Sequence, residues 1–292
     1  GKIYTEKSDK RQLEWRTQVI DSLVEKLEKK VVLADGAMGT YFSQKYMTEM
    51  EAEEANIATP ERIIAIHKEY IEAGAELIRT NTFAVNHGLF AEAERRKEVI
   101  EAAVANAREA VRQSRKEVVV AGSVGPIRQS AEEEDGEIWK EYTQMLDVFY
   151  TLGIRVFLFE TFSELRWLPK LAKYCKNKEE QTVVIAELAL NPMGYTQHGF
   201  GMTEILQELT SDVNFDIVGF NCGVGALHMK KLLQSQKFPK EFLLSVFPNA
   251  GYQQEMQGRT LVFHDTAYYA GQMKEILALG ANLVGGCCGT TP

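Results

Sequence analysis

Eight short runs of β-branched and aromatic residues, each bounded by turn-forming residues, recur along this 292-residue chain, with helical periodicities between them. Their apolar residues are nearly continuous, which is typical of parallel strands buried on both faces. Such an alternation over about 250 residues favours an α/β protein built as a closed (β/α)8 barrel, or TIM barrel. The predicted strands cover residues 31–35, 76–81, 118–123, 155–160, 182–188, 216–221, 242–247 and 281–286.

Helical periodicity fills the segments between the predicted strands. The clearest helix starts at Thr59 as a hydroxyl N-cap, with Pro60 in its first position and an acidic residue in its first turn. Gly74, Gly153 and Gly280 each stand between a helix and the next strand, where a left-handed cap is needed. The other predicted helices cover residues 89–112, 138–152, 163–174, 203–210, 226–233 and 266–279.

The alternative architecture is a doubly wound open sheet. The barrel is preferred because no Gly-x-Gly-x-x-Gly follows the first strand, where a dinucleotide-binding fold would have it. Apolar residues at helical spacing within residues 11–30 predict an N-terminal extra helix. We therefore divide the chain into a helical extension, residues 1–30, and a barrel, residues 31–292. The eighth barrel helix is missing before Pro292, so we expect either a longer parent chain or replacement by the N-terminal helix.

Composition bounds the class of protein. The chain has 41 Asp and Glu against 33 Lys and Arg, and its net charge of -8 disfavours nucleic acid and anionic membrane surfaces as partners. No run approaches the roughly 18 apolar residues of a membrane helix, and the polar N-terminus lacks a signal-peptide core. Four cysteines, two of them adjacent, do not form a secreted disulfide framework. We expect a cytoplasmic protein.

Three of the four cysteines follow predicted strands, at the end of a barrel where active sites are built. Cys222 follows the sixth strand, and Cys287 and Cys288 follow the eighth. Flanking glycines would allow the adjacent pair to turn both sulfur atoms toward one ion. Three thiolates form a soft donor set that suits Zn²⁺, and three protein ligands with an open position are typical of a catalytic site. We predict one zinc ion per chain.

Other interpretations of these cysteines are open at this stage. Each can be a small buried residue, because free cysteine is commonly buried, and a strained vicinal disulfide can join Cys287 to Cys288. At a zinc site, a thiol substrate would lose its proton below its usual pKa of about 8.5 and become a nucleophile at neutral pH. The predicted chemistry is alkylation of sulfur. Cys175 and the five scattered histidines are predicted to have structural or surface roles.

Six segments, in order along residues 31–292, resemble the homocysteine S-methyltransferase family. This family includes the homocysteine-binding module of cobalamin-dependent methionine synthase and enzymes that use betaine or S-methylmethionine. The resemblance implies transfer of a methyl group to the thiol of homocysteine, which gives methionine. The segments are Asp-Gly-Ala-Met-Gly-Thr from Asp35, Arg-Thr-Asn-Thr-Phe from Arg79, Gly-Ser-Val-Gly-Pro from Gly122, Glu-Thr-Phe from Glu160, Gly-Phe-Asn-Cys-Gly from Gly219 and Gly-Gly-Cys-Cys-Gly-Thr-Thr-Pro from Gly285.

The resemblance also implies roles for individual residues. The three strand-end cysteines would bind zinc, and the homocysteine sulfur would take the fourth position. The homocysteine amino group would lie near Asp35 and Glu160, and backbone N–H groups at Gly36 and Ala37 would hold the carboxylate. The remaining candidates for the substrate-binding shell are Thr80, Asn81, Asn221 and, after the seventh strand, Asn249.

The methyl donor and two other functions are open at this stage. Methylcobalamin charged by methyltetrahydrofolate, S-methylmethionine, S-adenosylmethionine and betaine all carry an activated methyl group, and the aromatic cage that betaine would need is not recognised. A non-catalytic zinc module of a multidomain methyltransferase would bind zinc without methylating a free thiol. A hydrolase barrel would instead use Glu160 and Glu187 as a carboxylate pair for glycoside cleavage.

Overall fold

The computed structural model is a barrel of eight parallel strands. It describes residues 23–236, 238, 242–251, 253–256, 259–262 and 265–292, with the backbone alone at 253–256 and 259–262. The barrel strands are β1 (Val32–Leu33), β2 (Leu77–Arg79), β3 (Val119–Val124), β4 (Val156–Phe162), β5 (Val183–Leu188), β6 (Ile217–Gly225), β7 (Leu243–Asn249) and β10 (Leu283–Val284). Their order around the barrel is β1-β10-β7-β6-β5-β4-β3-β2, and each predicted run overlaps one strand, so the predicted (β/α)8 fold is confirmed.

The barrel closes between β1 and β2. A single parallel bridge joins Ala34 to Leu77. It is flanked by backbone hydrogen bonds from the N–H of Asp35 to the carbonyl of Leu77 (3.0 Å) and from the N–H of Glu76 to the carbonyl of Leu33 (2.7 Å). Because all eight strands are parallel, their carboxyl ends meet at one rim, which we call the upper rim.

Helices connect the strands, and every predicted helix overlaps an observed one. The sequence does not predict the two short helices after β1, or the antiparallel hairpin of β8 (Gln253–Met256) and β9 (Arg259–Val262). Among the described residues, none of the helices has both the length and the apolar character needed to cross a membrane. The helices that follow β1 in the chain are Gly39–Tyr46, Ala52–Ala58, Pro60–Glu72, Ala93–Ser114, Asp135–Thr151, Leu168–Lys178, Met202–Ser211, Ala226–Gln234 and Thr266–Ala278.

Helix boundaries follow the predicted signals with one exception. The glycines Gly74, Gly153 and Gly280 have φ values of 115°, 77° and 105°, as a left-handed cap requires. The helix Pro60–Glu72 starts with its proline, but the predicted hydroxyl cap by Thr59 is wrong. The Thr59 hydroxyl is buried without a hydrogen-bond partner among the described residues. Its backbone, at φ -144° and ψ 61°, lacks the extended conformation that aims a cap side chain at the first turn.

The barrel interior changes from apolar to polar toward the upper rim. Alternate residues of each strand face inward, and the lower ones, such as Val156 and Leu158 on β4, form one apolar cluster. Higher inward positions carry polar side chains that are buried against one another. These are Arg79, Ser123, Glu160, Glu187, Asn221 and Ser245.

The lower end of the barrel is covered by a helix at residues 23–29. Leu23 and Leu27 from this helix are 1% exposed and belong to the apolar cluster of the interior. An N-terminal extra helix is therefore present. Residues 1–22 of the predicted extension lie outside the described residues, and a domain boundary at residue 30 stays a prediction.

Candidate active site

Three cysteine side chains meet at the upper rim of the barrel. The sulfur atoms of Cys222, Cys287 and Cys288 all lie within 4.8 Å of one another, and those of Cys222 and Cys288 are 3.9 Å apart. Tetrahedral zinc with Zn–S bonds of about 2.3 Å holds its sulfur ligands about 3.8 Å apart. The spacing and the soft donor set therefore fit a zinc ion with one open coordination position.

Cys222 reaches this cluster through an irregularity at the end of β6. The pairing of β6 with β7 shifts register between Asn221 and Gly225. Within the shift, Cys222 and Gly223 have φ values of 53° and 68°. A side chain at Gly223 would be excluded, because its Cβ would lie 2.1 Å from the carbonyl oxygen of Leu190. A non-glycine residue in a left-handed conformation is strained, and such strain is concentrated at functional sites.

The loop after β10 is tied to the loop after β1. The N–H of Gly286 donates to the carbonyl of Asp35 (3.0 Å). The hydroxyl of Thr290 accepts a hydrogen bond from the N–H of Ala37 (3.0 Å) and donates to the carbonyl of Cys287 (2.7 Å). The two loops therefore form one unit that fixes the backbone of the adjacent cysteines.

Hydrogen bonds among the thiols distribute their charge unequally. Hydrogen bonding to Cys287 and Cys288 lowers the pKa of Cys222 to about 3. Hydrogen bonding to the charged Cys222 raises the pKa of Cys288 to about 11 and raises the pKa of Cys287 well above its usual value. The cluster thus stabilises one thiolate by itself, and a cation at its centre is what would allow all three sulfurs to ionise.

Beside the cysteines lies a buried ion-pair network centred on Arg79. The Nε atom and the backbone N–H of Arg79 donate to the two carboxylate oxygens of Asp35 at 2.7 and 2.8 Å. The Nη1 atom of Arg79 donates to Glu160 at 2.7 Å, and the hydroxyl of Ser123 donates to the other oxygen of Glu160 at 2.5 Å. The predicted amino-group ligands are thus brought together by a residue that sequence analysis does not identify.

Burial and ion pairing act in opposite directions on this network. Burial alone would lower the pKa of Arg79, but the charges of Asp35 and Glu160 raise it well above its usual value, so the guanidinium stays charged. Burial raises the pKa of Asp35, and Arg79 opposes that rise. The sequence holds a signal for this arrangement, because Leu77 and Arg79 share the inward face of β2. A cation on the interior face of a buried strand needs anionic partners.

The cysteines and the ion-pair network face one cavity of ≈ 260 Å³. Met38, Glu53 and Phe83 also line this cavity, and Phe83 is 40% exposed. Most of the predicted site residues line this cavity. They are Asp35, Gly36, Ala37, Thr80, Asn81, Glu160, Cys222, Cys287 and Cys288.

Two predicted asparagines lie outside the cavity lining. The side chain of Asn221 is paired with Thr161, donating to its hydroxyl (2.8 Å) and accepting from its backbone N–H (2.9 Å). Asn249 lies next to Cys222, and its hydrogen bond contributes to the lowered pKa of that thiol. Both asparagines therefore bond to other residues around the cavity without lining it themselves.

Thr80 and Asn81 line the cavity, but their side chains are engaged with protein groups. The hydroxyl of Thr80 lies 2.8 Å from that of Thr82 and accepts from the N–H of Ser123. The amide of Asn81 donates to the carbonyl of Ala52 at 2.6 Å. These bonds anchor the loop after β2 and leave few hydrogen-bonding groups of Thr80 and Asn81 free for a substrate.

The carboxylate pair of a hydrolase is not assembled at this rim. Glu160 is ion-paired with Arg79, whereas Glu187 is 0% exposed and is absent from the residues that line the cavity. Burial, followed by the negative charge of Glu160, raises the pKa of Glu187 to about 8. Glu187 belongs to the barrel interior and cannot act on a substrate in the cavity.

Those residues predicted to have structural or surface roles that the structure describes do not line the cavity. Cys175 is buried on the helix Leu168–Lys178, and burial raises the pKa of its thiol to about 12. His67 is fully buried, and neither ring nitrogen has a hydrogen-bond partner among the described residues. The ring of His87 is partly exposed and pairs with Glu133 and Glu141. His264 lies outside the described residues.

Fold and site together define a (β/α)8 barrel with a cluster of three cysteines at its upper rim that could hold a metal ion. The chain belongs to the homocysteine S-methyltransferase family, because the family model with that description matches residues 32–292. The cysteine cluster, the ion-pair network and the cavity all lie within the matched residues.

Individual relatives agree with the family assignment. Methionine synthase of Mycobacterium tuberculosis (strain ATCC 25618 / H37Rv) is 29% identical over 301 residues, and that of Mycobacterium leprae (strain TN) is 27% identical over 299 residues. Each alignment covers 92% of this chain and 24% of the relative, so the chain spans about a quarter of the length of these proteins.

Solved structures of similar fold include the Escherichia coli homocysteine methyltransferase MmuM. Its metallated form matches with a TM-score of 0.74 at 21% identity, covering 90% of this chain and 93% of that one. Its apo form matches with a TM-score of 0.69 at 22% identity, covering 90% and 92%. These similarities establish the barrel fold.

Proposed function

We propose that this chain transfers a methyl group to the thiol of homocysteine, with Zn²⁺ bound by the three cysteines. One observation carries the proposal: three sulfur atoms within 4.8 Å of one another face the same cavity as a buried, partly compensated pair of carboxylates. A thiol that also bears an ammonium group matches both halves of this site. Family membership supports homocysteine as that thiol.

The metal would activate the acceptor. When bound by Cys222, Cys287 and Cys288, zinc would take the substrate sulfur as a fourth ligand and keep it ionised at neutral pH, although a free thiol has a pKa of about 8.5. The protein would fix the direction of the sulfur, because the two loops that carry these cysteines are held by Thr290 and by the register shift in β6. The sulfur would then face the open side of the cavity, where a methyl donor can approach.

The amino acid part of homocysteine would lie along the ion-pair network. Glu160 is the proposed acceptor for the ammonium group, because a carboxylate has about four lone-pair sites and two of them are used by Arg79 and Ser123. The substrate carboxylate is assigned to the backbone at Gly36 and Ala37. Since the N–H of Ala37 donates to Thr290, binding at that amide requires this hydrogen bond to open.

The proposed donor is methylcobalamin charged by methyltetrahydrofolate. It is supported by the sequence similarity to proteins named methionine synthase, of which this chain spans about a quarter. A donor of that size would have to approach from outside the barrel, over the part of the cavity next to Phe83.

Methionine formation tests the proposal. Zinc-loaded protein would be incubated with homocysteine and, in separate reactions, methylcobalamin, S-methylmethionine, S-adenosylmethionine or betaine, and methionine would be measured by mass spectrometry. We expect methionine with methylcobalamin and its loss in Cys288→Ser, while Cys175→Ala, a change at a buried cysteine outside the site, retains activity. Equal methionine formation by Cys288→Ser and the parent protein would overturn the proposal.

A further inference from the structure

The side chain of Arg79 is hydrogen-bonded to four residues of the site. Beyond its bonds to Asp35 and Glu160, its Nη2 atom donates to the carbonyl of Gly36 (2.7 Å) and to the carbonyl of Gly286 (3.0 Å). Arginine has five side-chain N–H donors, and four of them are engaged by these partners. The guanidinium also lies over the ring of Phe247, with 5.1 Å between its carbon and the ring centroid. Its orientation is therefore fixed from several sides.

The charges of this network do not balance. With Asp35 and Glu160 ionised, the single guanidinium of Arg79 leaves one negative charge uncompensated. The three side chains are at most 9% exposed, so water screens that charge poorly. A buried net charge is costly, and a ligand that brings one positive charge removes the cost. The pocket is thus complementary to a ligand with a single ammonium group.

The contacts of Arg79 also connect the two halves of the site. Gly36 follows Asp35 at the end of β1, and Gly286 directly precedes the metal-site residue Cys287. One nitrogen atom holds the carbonyls of both glycines. The position of the amino acid pocket relative to the thiolates is therefore set through one side chain.

We propose that Arg79 is the specificity-determining and positioning residue that makes this site select thiols bearing an α-ammonium group. This inference rests on the proposed function, since it concerns the acceptor pocket of the same reaction. Lysine cannot replace arginine fully, because a single ammonium group with three donors cannot span two carboxylates and two carbonyls. Glutamine would leave two buried carboxylates without a cation.

A comparison of two thiols tests the inference. Homocysteine and 4-mercaptobutyrate share the thiol, the chain length and the carboxylate, and differ in the α-amino group alone. Their affinities for zinc-loaded protein would be measured by calorimetry for the parent protein, Arg79→Lys and Arg79→Gln, with zinc content determined for each. The matched control is Arg96→Lys, since Arg96 is also 8% exposed but bonds to Phe90 and Ala91 outside the cavity.

The expected readout is the ratio of the two affinities. Arg79→Lys keeps the positive charge but cannot hold both carboxylates and both carbonyls, so Asp35 and Glu160 lose the orientation that binds the ammonium group. A charge-assisted hydrogen bond lost from a buried site corresponds to about 10-fold or more in binding, so we expect the preference for homocysteine to fall about 10-fold in Arg79→Lys. Arg79→Gln loses the same orientation but also a positive charge, which strengthens the attraction of the carboxylates for an ammonium group, so the preference should fall less in that variant. Zinc content and the preference of Arg96→Lys should stay at the parent level. Arg79→Lys retains the charge and provides the test if Arg79→Gln does not fold.

Two results separate this inference from the proposed function. An unchanged preference ratio in both Arg79 variants, in a parent protein that does prefer homocysteine, would overturn the role of Arg79 alone. A parent protein that binds neither thiol would overturn the proposed function itself.

Discussion

Cys222 and Cys288 are 66 positions apart in the sequence, yet their sulfur atoms are 3.9 Å apart. The barrel produces this proximity, because β6 and β10 are separated by β7 alone and end at the same rim. The left-handed conformation of Cys222 then turns its sulfur toward the loop after β10. Site formation thus depends on backbone conformation as much as on the presence of three thiols.

The packing around Thr290 predicts that replacing Gly36 by alanine destabilises the protein, whereas the same replacement of Gly39 does not. A Cβ at Gly36 would lie 2.5 Å from the hydroxyl oxygen of Thr290 and 2.9 Å from that of Tyr70, whereas a Cβ at Gly39 would meet nothing within 4 Å. We expect Gly36→Ala to lower the free energy of unfolding by about 1 to 3 kcal/mol, as overpacking does, and to weaken zinc binding. Gly39→Ala is the control and should change neither. Urea denaturation and zinc titration measure both, and equal effects of the two substitutions would contradict the packing.

Glu187 predicts a loss of stability as the pH rises from 4.5 to about 8. Burial raises its folded-state pKa to about 8 from an ordinary 4.5, so between these values the folded protein retains a proton that the unfolded chain releases. The free energy of unfolding should fall as pH rises from 4.5 to 8, by roughly 5 kcal/mol at most. Glu187→Gln should remove that slope in denaturation curves recorded across this pH range. A slope that persists in the variant would assign it to other groups.

His67 predicts the opposite trend at acidic pH. Burial, aided by the positive charge of Arg79, lowers its folded-state pKa to about 4, while the ordinary value is 6.5. The unfolded chain therefore takes up a proton first as pH falls, and the free energy of unfolding should drop by about 3 kcal/mol between pH 6.5 and 4. His67→Leu, which has a similar volume and no titratable group, should reduce this acid sensitivity. Thermal unfolding at pH 5 and pH 7 provides the measurement, and an identical acid response in the variant would be the contrary result.

The fold was predictable because its signals are local. Each barrel strand is a short apolar run, and glycines such as Gly74 and Gly153 mark the step from helix to strand through their backbone conformation. The β8–β9 hairpin was not predictable in this way, since it lies outside the barrel core and its residues lack apolar alternation. The hydroxyl of Thr59 shows the same limit at a smaller scale, because capping depends on backbone angles that residue type does not fix.

The candidate site was predictable to the extent that residue type determines chemistry. Cysteines and carboxylates at strand ends have few other uses in combination, so their convergence followed from the topology. Arg79 was missed because its role depends on Asp35, which follows β1, and on Glu160 from β4, and both meet it only in the folded barrel. Asn221 was assigned to the substrate, but its amide is bonded to Thr161, a contact between β6 and β4 across β5 that the sequence pattern does not reveal.

X-ray absorption at the zinc edge, combined with zinc content under reducing conditions, tests the central claim most directly. We predict about one zinc per chain with three sulfur ligands, and a fourth sulfur ligand when homocysteine is added. Cys288→Ser should lower the sulfur count or lose the metal, with Cys175→Ala as the unchanged control. Failure to bind zinc, or a sulfur count that homocysteine does not change, would contradict thiol activation at this site.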